Sequence, residues 1–113
     1  MEGERQERKE VHLPVSFIGD ARGDGTIRNL SSDGCKIETE SQIFMAQLLV
    51  LRISVPHDSS PIVIDVAAVR WSKSPTCGVQ FLSIKEAEQQ RLNRYLATLS
   101  SYRPNIILGL SRY

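Results

Sequence analysis

Val11-His12-Leu13-Pro14-Val15-Ser16-Phe17-Ile18 carries the pattern on which the fold turns: Val11, Leu13, Val15 and Phe17 recur at every second position, with His12, Pro14, Ser16 and Ile18 between them. Successive side chains of a strand leave on opposite faces, so a period of two lays these four apolar residues against one core. Immediately after it, Gly19, Asp20, Gly23, Asp24 and Gly25 crowd together and read as a turn, because Gly accepts positive φ and Asp bonds its own backbone.

The same alternation continues downstream. Thr26 to Leu30 reads as a second strand and Cys35, Ile37 and Thr39 as one face of a third, with Asn29-Leu30-Ser31-Ser32-Asp33-Gly34 as the loop between them. Leu49, Leu51, Ile53 and Val55 mark a fourth strand, closed by Pro56 and the polar turn His57-Asp58-Ser59-Ser60-Pro61. Ile62 to Trp71 is a fifth, rich in β-branched residues, and Cys77-Gly78-Val79-Gln80-Phe81 a sixth. Short strands at this spacing, with no helical crossover between them, predict an all-β-dominated fold, a closed or nearly closed antiparallel barrel.

One helix is expected, over about residues 84–99. Ser83-Ile84-Lys85-Glu86 has the form of a capping box, and Leu92, Tyr95, Leu96 and Leu99 repeat at helical spacing to give one buried stripe. Outside the 11–99 domain lie two flanking pieces. Residues 1–10, with four Glu and three cations, read as a flexible arm. Residues 100–113 carry Ile106, Ile107, Leu108 and Leu110 and read as an apolar tail, a candidate surface for docking or for pairing with a second copy of the chain.

Composition narrows the function. The chain has 113 residues, 41% hydrophobic and 24% charged, with 14 Lys and Arg against 13 Asp and Glu. That is one globular domain, and its balanced charge argues against a DNA or RNA binder, which needs a basic excess to meet phosphates. The polar start lacks the apolar run of a secretory signal, and Arg52, Asp65 and Arg70 interrupt every stretch that could insert in a membrane. A cytoplasmic protein with reduced thiols is expected, since two cysteines do not make a disulfide framework.

No enzyme is expected either. His12 and His57 are not at ligand spacing from a cysteine or from each other, and Cys35 and Cys77 fall on strands, where a free thiol behaves as a small hydrophobe. What remains is a recognition constellation: Arg5, Arg8 and Lys9 just before the first strand, and the Asn29–Gly34 loop, whose hydroxyl and N–H donors, pointed outward, would accept a phosphate or a base edge.

In this order, and followed by these strands, the two elements make the sequence resemble a PilZ domain. Members of that family pair an N-terminal RxxxR arm with a [DN]xSxxG loop and bind the second messenger cyclic di-GMP. Asn29, Ser31 and Gly34 stand at the three fixed positions of the loop, and Ala68-Val69-Arg70-Trp71, Cys77 to Phe81 and the helix near Ile84 extend the likeness over about residues 4–99. The resemblance implies a six-stranded barrel with a C-terminal helix and a dinucleotide gripped between arm and loop by Arg5, Arg8, Lys9, Asn29, Ser31 and Gly34, with Trp71 beside a guanine. It implies no metal and no cofactor other than this ligand, and a downstream protein that reads the bound state; an adaptor that no longer binds the dinucleotide is the alternative. The arm departs from the pattern. With spacing held, Arg5 is followed by Lys9; with distance to the first strand held, Arg8 is preceded by Glu4.

Overall fold

The structure, a computed structural model, describes residues 8–101. Six strands, β1 (Lys9–Gly19), β2 (Gly23–Leu30), β3 (Gly34–Glu38), β4 (Leu48–Ile53), β5 (Ile62–Lys73) and β6 (Thr76–Ser83), are followed by one helix, α1 (Glu86–Ser101). They form a closed antiparallel barrel in the order β1-β2-β3-β6-β5-β4. β1 closes it: Lys9 to Phe17 pair with β2, and Val15 to Gly19 pair with Ile53 to Leu49 of β4.

The alternation in the sequence is the alternation in the barrel. Val11, Leu13, Val15 and Phe17 are buried while His12, Pro14, Ser16 and Ile18 face outward. Ile27, Ile37, Leu51, Ile53 and Ile64 are fully shielded and fill the interior from the other strands. Cys35 and Cys77 join this core as free cysteines. Burial pushes both thiols up, that of Cys77 to about 11, so they stay protonated and serve as packing.

Several boundaries differ from the sequence reading, each for a local reason. The arm ends earlier: Lys9 and Glu10 already pair with Leu30 and Asn29, so charge alone does not keep them out of the strand. Residues 1–7, including Arg5, lie outside the described residues. Gly23, Asp24 and Gly25 belong to β2, opposite Phe17, Ser16 and Val15, where a missing side chain leaves room for the neighbouring segment. A Cβ at Gly25 would sit 2.9 Å from Thr39 Cβ. The loop is shorter than Asn29–Gly34, because Leu30 pairs with Cys35 and only Ser31, Ser32 and Asp33 remain unpaired.

The capping box does not form. Ser83 ends β6, paired with Val66, and the helix begins at Glu86, with the Gln89 N–H donating to the Lys85 carbonyl at 2.8 Å. Strand pairing takes the residue that the motif assigned to the cap. The helix is instead fixed by side chains that reach back to the barrel. Glu88 accepts from the Val63 N–H at 2.8 Å, and Lys85 pairs with Asp65 at 2.9 Å. Arg91 donates to the Pro61 carbonyl, Glu88 and Asp58, and its guanidinium, with the Ser60 N–H, holds the Asp58 carboxyl below the ordinary carboxylate value.

The apolar stripe is as expected. Leu92 is fully buried, and Tyr95, Leu96 and Leu99 pack partly buried beside it. The tail beyond residue 101 lies outside the described residues. Because Leu92 has no solvent-facing surface and joins α1 to the barrel core, Leu92→Ala should cost about 2 to 5 kcal/mol of unfolding free energy in a urea titration followed by circular dichroism. A loss of less than about 1 kcal/mol would mean that the helix contributes little to the core.

Candidate ligand-binding site

The barrel interior is filled, so a ligand must be met on the outside, and one outer face collects most of the residues singled out by sequence. Across neighbouring strands the register runs Glu10, Asn29, Lys36, Gly78, Trp71, one outward row over β1, β2, β3, β6 and β5. A second row lies beside it: Gly34 of β3 is paired with Gln80 of β6.

Arg8 stands at the start of β1, and the pairing of Lys9 with Leu30 fixes where it emerges, next to the β2–β3 turn. Its Nη1 donates to Asn29 Oδ1 at 3.0 Å. Its Nη2 lies 3.7 Å from where a Cβ on Gly34 would be. Arg8 is therefore, among the described residues, a cation of the arm that meets the loop. Gly34 is needed for close approach, since a Cβ would come within 2.6 Å of the Val79 carbonyl oxygen, while the Arg8 guanidinium lies at ordinary contact distance.

Ser31 behaves differently from the expectation of an outward hydroxyl. It has no exposed surface. Its O–H donates to Asp33 Oδ1 at 2.7 Å, and its oxygen accepts from the Asp33 N–H at 3.3 Å. The Ser31 N–H donates to the Gly34 carbonyl at 2.9 Å, and the Phe81 N–H to the Asp33 carbonyl at 2.8 Å. The turn is thus tied to itself and to β6, because a buried hydroxyl must spend its hydrogen bonds internally. Ser31 shapes the loop from beneath while Asn29 and Gly34 present its outer side.

Register slips decide what else faces this surface. One between Ile27 and Asn29 leaves Arg28 as the extra residue of β2, so Arg28 turns outward to pair with Glu38 at 2.6 Å, and Asn29 still joins the outer row. Another, between Val69 and Trp71, puts two consecutive residues of β5, Arg70 and Trp71, on the outside. The Trp71 indole lies over Gly78, where a Cβ would overlap it, and remains 41% exposed. Its other side borders a hollow of about 540 Å³ lined also by Ile43, Phe44 and Met45. Arg70 Nε donates to Gln80 Oε1 at 2.7 Å.

Lys36, Arg70 and Gln80 thus stand on this face with no motif to announce them; only strand parity could have placed Lys36 and Gln80 there. α1 also touches the loop: Gln89 Nε2 donates to the Ser32 carbonyl at 3.3 Å and to Asn93 Oδ1 at 3.1 Å. Among the described residues no group of His, Cys, Asp and Glu is arranged to hold a metal ion, and no helix is long and apolar enough to cross a membrane.

A closed barrel with a cation poised over an N-x-S-x-x-G turn is the architecture of a binding domain. A family model for the PilZ domain matches residues 3–98, and the chain belongs to that family. PilZ domains are binding and adaptor domains, generally receptors for cyclic di-GMP. Two solved structures share the fold. The inhibitor of motility MotI/DgrA of Bacillus subtilis superposes with a TM-score of 0.71 at 19% identity, over 91% of this chain and 54% of that one, so this chain spans about half its length. The PilZ domain of CeSA from a cellulose-synthesizing bacterium gives 0.64 at 11% identity, over 83% of this chain and 98% of that one. No curated protein matches the sequence.

The two motif residues Ser31 and Arg8 should separate in their effects on the unliganded protein. Ser31→Ala strips the Asp33 carboxylate and N–H of their partner and should cost about 1 kcal/mol, a fall of several degrees in Tm. Arg8→Ala removes only an exposed bond and should leave Tm within about 1 °C, by differential scanning fluorimetry. Equal shifts would contradict the division of roles.

Proposed function

We propose that this domain is a receptor for cyclic di-GMP that holds the dinucleotide on the outer face of β2, β3, β6 and β5. The observation that carries the reading is the convergence of Arg8, Asn29 and Gly34 above a turn locked by Ser31. A cyclic dinucleotide offers two phosphates and two guanines. An arginine fork matches both a phosphate's paired oxygens and the O6 and N7 edge of guanine, while Asn29 supplies an amide beside it.

In this reading Arg5 and Lys9 add charge from the arm and the first strand, and Trp71 offers an exposed aromatic surface on which a guanine stacks. Gly34 keeps the surface flat where the ligand approaches. The loop is linked to α1 by Gln89, so a ligand seated on the loop biases the helix, and a partner protein docked on the helix reads the change. That the structural neighbour MotI is an inhibitor of motility supports an effector role. Cys35 and Cys77, both unpaired and in the core, suit the reducing cytoplasm.

Calorimetric titration of the whole chain with cyclic di-GMP tests the reading. Saturable heat is expected, with Arg8→Ala weakening affinity about tenfold or more, the worth of one charge-assisted contact. No heat at high micromolar dinucleotide would leave the adaptor, acting by protein contact alone, as the function.

A further inference from the structure

We propose that Arg70 is a further arginine of the ligand site, supplying from β5 a guanidinium that works beside that of Arg8. The inference rests on the reading of this face as the cyclic di-GMP site. Its grounds are geometric. Gly34 and Gln80 are cross-strand partners, so the missing Cβ of Gly34 and the side chain of Gln80 leave on one face. Arg8 reaches that face over Gly34, and Arg70 reaches it over Gln80. The Gly34–Gln80 pair is thus met by Arg8 at Gly34 and by Arg70 at Gln80.

The slip between Val69 and Trp71 is what brings Trp71 out beside Arg70. Strict alternation from the buried Val69 would send Arg70 out and Trp71 in; the extra residue lets both face outward, a cation and an aromatic side by side. Gln80 holds the Nε of Arg70, which leaves the Nη1 and Nη2 edge, unbonded among the described residues, to address an anion or a guanine edge. Lys36, on the row between Asn29 and Gly78, adds a third cation on the same face. Of the carboxylates on these elements, Asp33 accepts from Ser31 and Glu10 stands across from Asn29. A small dianion with two recognition ends fits two separated forks better than a single one.

Titrating the full chain with cyclic di-GMP, as wild type and as Arg70→Ala, Arg70→Lys, Gln80→Leu and Arg52→Ala, decides the matter. Arg52 is exposed on β4, across the ring from β3. Arg70→Ala should bind about tenfold or more weakly. Arg70→Lys should recover only part of this, because an ammonium has no fork. Gln80→Leu should weaken binding by less than Arg70→Ala, since it frees Arg70 without removing it. Arg52→Ala should bind as wild type, and all four should melt within a few degrees of it, which a merely structural role for Arg70 would not give. Wild-type affinity in Arg70→Ala, with the wild type binding, overturns the assignment and leaves the receptor function standing. Failure of the wild type itself to bind overturns both.

Discussion

The first strand pairs with β2 from Lys9 to Phe17 and with β4 from Val15 to Gly19, and this double pairing closes the ring. Two consequences follow. A closed barrel of this size has its inward side chains packed against one another, so recognition is confined to the outside. The same pairing sets the point at which the preceding residue emerges: with Lys9 opposite Leu30, Arg8 is delivered beside the β2–β3 turn rather than left to find it. Closure and site placement are one constraint.

The turn itself is built for rigidity. Ser31 is buried and spends its hydroxyl on Asp33, while β6 accepts the loop through the bond from the Phe81 N–H to the Asp33 carbonyl. A rigid turn with a glycine at its end gives a flat floor, and Arg8 reaches over it. Gln89 carries the position of Ser32 to α1, which is clamped to the barrel at Arg91 and seated in the core by Leu92. A change in the loop therefore meets a helix that is held at several points.

Much of the fold was legible in the residues. The alternation of Val11 to Phe17 and the helical stripe of Leu92, Tyr95, Leu96 and Leu99 report burial directly, because burial follows side-chain period. The motif residues Asn29, Ser31 and Gly34 marked the β2–β3 turn. What stayed hidden depends on long-range pairing. Ser83 looks like a cap until Val66 claims it for β6, and Gly23 to Gly25 look like a turn until Phe17, Ser16 and Val15 take them as partners. Bulges leave no local signature, so nothing in Val69-Arg70-Trp71 says that two neighbours share a face. Nor does composition say that Ser31 points inward or that Gln89 reaches Ser32, since both depend on segments distant in sequence.

Backbone amide shifts followed by NMR during titration with cyclic di-GMP test whether the dinucleotide lies on the outer face of β2, β3, β6 and β5. Shifts are expected at Arg8, Asn29 to Gly34, Lys36, Arg70, Trp71, Gly78 and Gln80, continuing into α1 at Gln89. Shifts confined instead to β4 and the residues around Phe44 and Met45, with the Asn29–Gly34 turn and Arg70 unmoved, would contradict that placement.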